Sequence, residues 1–206
     1  MRILAIAPVF VLALAPLFAQ STTIPPLPRK APEIAVVEPG PDGKPVKTTQ
    51  LSSYKGKVVV LALVYTTCPH CQKECEMLSK VYTEMKSKGV QMLAVAFNDN
   101  AAALVPQFVR EHGVLFPVGS APVDAATGFM GFSVMDRYVV PQLAVIDRQG
   151  MIRAQTPPAG DPNLQDEGFL RKLISQLVAE PAGPATTTKA APKAAPKTAA
   201  TKTSSN

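Results

Sequence analysis

K57-V-V-V-L-A-L-V-Y-T-T-C-P-H-C-Q-K-E-C75 runs a β-branched, apolar segment straight into all three of the chain's cysteines. A run apolar at nearly every position, rather than at alternate ones, predicts a strand covered on both faces, as in the centre of an α/β sheet. From position 69 to about 88, Cys71, Cys75, Leu78, Tyr82 and Met85 then recur in steps of four and three. That spacing makes one stripe of a helix, with Gly89 as its terminator. Cys68 therefore falls just past a strand's carboxyl end, where open α/β sheets carry their reactive groups.

Working outward, I34-A-V-V and P45-V-K-T-T flank the turn signal P41-D-G-K44 and predict a hairpin. Downstream, V90-Q-M-L-A-V-A-F97 reads as a second buried strand. Asn100 is placed to cap a helix running to about His112, with Pro106 as a point of late start or kinking. L115-F-P-V118 is a short strand candidate, and D124-A-A-T-G-F-M-G-F is ambiguous, at most a helical turn. L143-A-V-I-D147, the turn D147-R-Q-G150 and M151-I-R-A-Q155 make a hairpin. A last helix over 166–179 carries Phe169, Leu170, Leu173, Ile174, Leu177 and Val178 on one face. The order implies an α/β fold: a mixed central sheet with helices on both faces and an N-terminal hairpin.

The two ends differ in kind from this middle. Met1 and Arg2 precede an apolar run over 3–18 interrupted by Pro8 and Pro16, and Ala19-Gln20-Ser21 offers a cleavage site. Positions 1–19 thus read as an export signal, and the run is short for a spanning helix, which takes about 20 residues. Positions 20–31 form a Pro-rich leader, 32–180 the folded domain, and 181–206 a Pro/Ala/Thr/Lys tail too poor in apolar residues to fold. Lys189, Lys193, Lys197 and Lys202 of that tail, with Arg2, account for five of the net charge of +6. The basic balance therefore belongs to the ends, which argues against a nucleic-acid-binding domain and fits tail contact with an anionic envelope surface. Export matters to the cysteines, because an oxidising compartment lets thiol pairs form disulfides.

Thiols do redox work as thiolates, and a helix N-terminus stabilises negative charge through its unpaired N–H groups. Pro69 suits the first turn, where its missing N–H costs nothing. Two intervening residues bring Cys71 round beneath Cys68, so it can resolve a mixed disulfide formed on the outer sulfur. His70 adds positive charge beside the thiolate and makes the disulfide more oxidising. Glu74 either keeps its head in water at the stripe's edge or is buried, holds its proton to high pH and exchanges it with Cys71. At Pro141 a cis bond would leave the Val140 backbone open to an extended substrate chain.

C68-P-H-C71 after a buried strand, Glu74 three residues on, Gly150 in the hairpin turn and Pro141 before L143-A-V-I-D resemble the thioredoxin fold. More narrowly they resemble its exported TlpA/ResA branch within the AhpC/TSA-like group, over roughly positions 31–180. The resemblance implies a thioredoxin-like three-layer sandwich and a thiol-disulfide oxidoreductase acting on exported, cysteine-containing proteins. It further implies a membrane-embedded electron donor or acceptor and a location in the periplasm or cell envelope. Cys68 would attack, Cys71 resolve, Pro141 be the cis proline and Glu74 the acidic helix residue. No metal or other cofactor is called for, and a monomer is expected. Three positions depart from the pattern: Thr67 stands where the branch has tryptophan, C-P-H-C is the motif of a disulfide oxidase in a reductant's frame, and Cys75 replaces an apolar residue. Electron flow is open in either direction.

Other readings stand beside this one. Cys68 and Cys71 could be a structural disulfide, although their setting disfavours it. Cys75 is most simply a small core residue, and a disulfide to Cys71 along one helix is poorly directed. His70 and His112 suit helix ends, Pro141 suits a turn, and Tyr65 and Tyr82 suit a core. A copper-binding chaperone could use Cys68, Cys71, Cys75, His70 and Met77 as soft ligands. A thiol peroxidase could use Cys68 alone, although Tyr65 stands where such enzymes carry threonine. Hydrolase and phosphate-loop patterns are missing.

Overall fold

The computed structural model describes residues 24–133 and 135–181, so the expected signal at 1–19 and the tail beyond Pro181 lie outside the described residues. Arg29–Lys30 forms a two-residue strand, β1. The expected hairpin is β2 (Ala35–Pro39) and β3 (Pro45–Gln50). The decisive apolar run is β4 (Val58–Val64), followed by α1 (Pro69–Met85), β5 (Val90–Ala96), α2 (Ala101–Glu111) and β6 (Val118–Ser120). Then come α3 (Val123–Met130), β7 (Gln142–Ile146), β8 (Met151–Gln155) and α4 (Glu167–Ala179).

The strands make one sheet in the order β1-β8-β7-β4-β5-β6-β2-β3. β4, β5 and β6 run parallel, while β7 is antiparallel to β4 and β8 to β7. Every residue of β4 and of β5 is buried, as their continuous apolarity requires. Alternate residues serve the two faces. Val58, Val60, Ala62 and Val64 meet α1, α2 and α4 through Cys75, Leu78, Phe108, Leu170 and Ile174. Val59, Leu61 and Leu63 meet Ala126, Phe129 and Met130 of α3 on the other side, with Leu51 and Val36 beside them. Helices thus cover both faces of a mixed sheet, the three layers expected.

Several local readings need correction. The sixth strand begins at Val118 rather than ending there. Phe116 instead turns into the core, edge-on to Tyr82 at 6.0 Å, and the parallel pairing to Ala94 starts only after Pro117. Gly119 is unpromising by propensity, yet it lets β2 approach: a Cβ there would lie 2.6 Å from the Val37 carbonyl oxygen. The segment at 124 is a full helix, α3, closed by Gly131 at φ 73°.

Asn100 precedes α2 but does not cap it with its side chain. It sits in the left-handed region at φ 57°, and its carbonyl accepts from the N–H of Ala103 and Leu104. α2 starts at Ala101 and continues through Pro106. Asp166 does cap α4, accepting from the Phe169 N–H at 2.7 Å. Phe169 itself is 45% exposed, because the buried face is Leu170, Ile174 and Leu177.

The leader is fastened to the body. β1 pairs antiparallel with β8. Arg29 donates from Nη2 to the Phe129 carbonyl at 2.8 Å and to Gln155 Oε1 at 2.6 Å, and Gln155 Nε2 donates to the Met130 carbonyl at 2.7 Å. The start of the chain and the end of α3 are thereby held to the same edge.

Candidate active site

β4 ends at Val64, and the chain turns through Thr66 and Thr67 to Cys68, the residue ahead of α1. Extended backbone at Cys68 (φ −88°, ψ 119°) and Pro69 in the first turn are what a helix start requires. The turn is clamped from three sides. Cys68 N–H donates to the Tyr65 carbonyl at 3.1 Å. Asn98, just beyond β5, accepts the Thr66 N–H at 2.9 Å, and Gln72 Nε2 donates to the Thr66 carbonyl at 3.0 Å.

Cys68 is half-buried and Cys71 fully buried, and both are free thiols. Burial pushes the Cys71 thiol well up, the Tyr65 N–H 3.4 Å from its sulfur works the other way, and neighbouring Cys68 adds to the rise. An outer sulfur facing solvent and an inner one kept protonated is the asymmetry that sequential attack and resolution need. Pro69 and His70 are exposed at the helix start.

Glu74, expected either at the edge or buried, is only 6% exposed, and its Oε1 has no partner among the described residues. Burial raises its pKa to about 8. It follows Cys71 by three residues on α1, so the two project from adjacent turns of one face. Cys75 is fully buried among Leu78, Val81 and the β4 and β5 side chains. Burial, then Glu74, raises its thiol as well.

The Val140-Pro141 peptide is cis, as expected. The loop that carries it comes against the cysteines, with Cys68 Sγ 3.8 Å from the Val140 carbonyl oxygen. Val139 is anchored through its N–H to the Pro158 carbonyl at 2.9 Å and through its carbonyl to Gln142 Nε2 at 2.7 Å. Tyr138 stacks on Phe132 and lies 6.0 Å from Phe97, which in turn packs edge-on to Tyr65 at 4.7 Å. Burial, then a hydrogen bond to Tyr138, raises Tyr65 to about 12. The expected residues at 68–71, 74 and 140–141 are therefore brought to one end of the sheet.

The Redoxin family profile matches residues 28–172, well over half the chain. The chain belongs to the Redoxin family. The thiol-disulfide oxidoreductase ResA of Bacillus thuringiensis is 30% identical over 128 residues, covering 62% of this chain and 69% of the relative. ResA of Bacillus subtilis is 39% identical over 72 residues, 35% of this chain and 40% of the relative. Among solved structures, a thioredoxin-family thiol:disulfide interchange protein of Chlorobium tepidum superposes with a TM-score of 0.56 at 23% identity, over 73% of this chain and 97% of that one. This Redoxin-family chain is a ResA-like thiol-disulfide oxidoreductase with a thioredoxin-like fold.

The soft-ligand set of a copper site is not brought together, since Cys75 is closed into the core while His70 is exposed. Sequence reasoning missed the Asn98 and Gln72 clamp, for which a polar residue directly after the buried run at 90–97 was a usable signal. It also missed the loop at 159–165 that faces the cis proline. Its P-P-A-G-D-P composition marked a turn but no chemistry.

Proposed function

We propose that the chain exchanges disulfides with exported, cysteine-containing proteins through Cys68 and Cys71. In the reductive direction the Cys68 thiolate attacks a substrate disulfide, forming a mixed disulfide and releasing one substrate thiolate. Cys71 then loses its proton and attacks Cys68 Sγ, freeing the second substrate thiol and leaving the Cys68/Cys71 disulfide. Two electrons pass to the substrate, and the reverse sequence oxidises it. Glu74, buried and titrating near neutrality, is the acceptor for the Cys71 proton.

The substrate chain lies extended along Val140, whose carbonyl is engaged only by the long contact to Cys68, and pairs with its backbone. The single observation that carries the reading is the half-buried thiol at a helix start, directly under a cis-proline loop. The apolar run at 3–18 and the value of an oxidising compartment to such a pair support export to the periplasm or cell envelope. No helix of the described residues is long and apolar enough to cross a membrane, so a membrane-embedded electron donor or acceptor would be a separate protein and this chain a monomer that visits it.

The test is trapping. Cys71→Ser should accumulate a mixed disulfide with a model peptide disulfide, and Cys68→Ser should form none and lose turnover at least about 10³-fold. A Cys68→Ser variant with full activity would sink the proposal. The reduction potential of the pair decides direction, a low value marking a reductant and a high one an oxidant. His70→Pro should lower that potential; an unchanged value would remove His70 from the account.

A further inference from the structure

Beside Cys68 lies a groove of about 440 Å³, walled by His70 at the start of α1, by Val139, Val140 and Pro141, and by the loop at 159–165. Most of the wall is apolar or neutral. Asp161 supplies its one carboxylate, and no lysine or arginine lines it. Asp161 Oδ1 accepts the Asn163 N–H at 2.9 Å, which fixes the side chain in a local turn. No hydrogen bond among the described residues takes up Oδ2.

A carboxylate held still at the lip of a partly apolar groove attracts a cation more strongly than one in open water, because the walls exclude part of the solvent that would screen it. A chain extended along Val140 runs through this groove with its cysteine at Cys68, so a side chain next to that cysteine reaches the Asp161 wall. Resting on the exchange reading above, we infer that the site selects substrate segments carrying lysine or arginine beside the reactive cysteine, with Asp161 as the specificity-determining residue.

The test uses the full chain and three pentapeptides, Gly-X-Cys-X-Gly with X lysine, alanine or glutamate, each capped at sulfur as a mixed disulfide with a chromogenic thiol. The expected kcat/KM order is lysine, alanine, glutamate, with about fivefold between the first two, the size of one partly screened ion pair. The gap should narrow as salt rises from 20 to 500 mM, roughly a Debye length of 20 to 4 Å. Asp161→Asn keeps the turn's acceptor and should bring the three values together, whereas Asp161→Glu should preserve the order. Equal rates in the parent chain, a faster glutamate peptide, or a lysine preference that survives in Asp161→Asn would overturn the inference while leaving exchange intact. Absence of exchange with all three peptides would overturn the exchange reading, and the inference with it.

Discussion

Cys75 and Glu74 show how far single residues can be read from sequence. The step of four from Cys71 put Cys75 on the buried stripe, and it is there, fully enclosed. Cys75→Ala should keep activity and cost about 1 kcal/mol in urea unfolding, the loss of one small buried group. Glu74 was undecidable, because a residue at a stripe's edge is buried or not according to what packs beside the helix, which the stripe does not contain. Its burial has a signed consequence. An acid whose pKa rises from 4.5 to about 8 on folding stays protonated in the folded state while the unfolded chain releases its proton. Stability therefore falls as pH rises across that window, by up to about 1.4 kcal/mol per unit, and levels off above it. Urea midpoints at pH 5, 6.5 and 8 should show the parent chain losing more than Glu74→Gln. Parallel curves would mean that the carboxylate is solvated.

At the level of elements, the long buried strands and the closing hairpin were legible because apolar runs and turn residues are local signals. The short ones were not. β6 is only Val118–Ser120, and two of its three residues have low strand propensity. It exists because Gly119 allows the β2 backbone to come close, a tertiary reason invisible in a three-residue window. Gly119→Ala should therefore cost roughly 2–4 kcal/mol by forcing that strand away, measured by thermal or urea unfolding. Arg29, in a leader expected only to run extended, ties Phe129 and Gln155 together across about a hundred residues of sequence. Arg29→Ala should cost about 1–3 kcal/mol. It should also speed amide hydrogen exchange in α3 and the residues just after it, since that helix end loses its fastening.

For the whole molecule, the division into ends and middle rests on composition, and the functional end of the sheet on topology. Removing 182–206 should leave the unfolding midpoint within about 1 °C, because that segment has no apolar side chain larger than proline to bury. It should also weaken binding to anionic vesicles, which the four removed lysines would favour. The direction of the first strand carries one more geometric result. β1 runs antiparallel to β8, and β8 ends at Gln155 beside the start of β7. Followed backward from Arg29, the polypeptide climbs toward the Pro141 side, where Pro25 rests against Gly131. Any tether joined ahead of Ile24 would leave the body on the same rim as the reactive sulfur. Such a leash would hold that sulfur turned toward the surface to which the protein is moored.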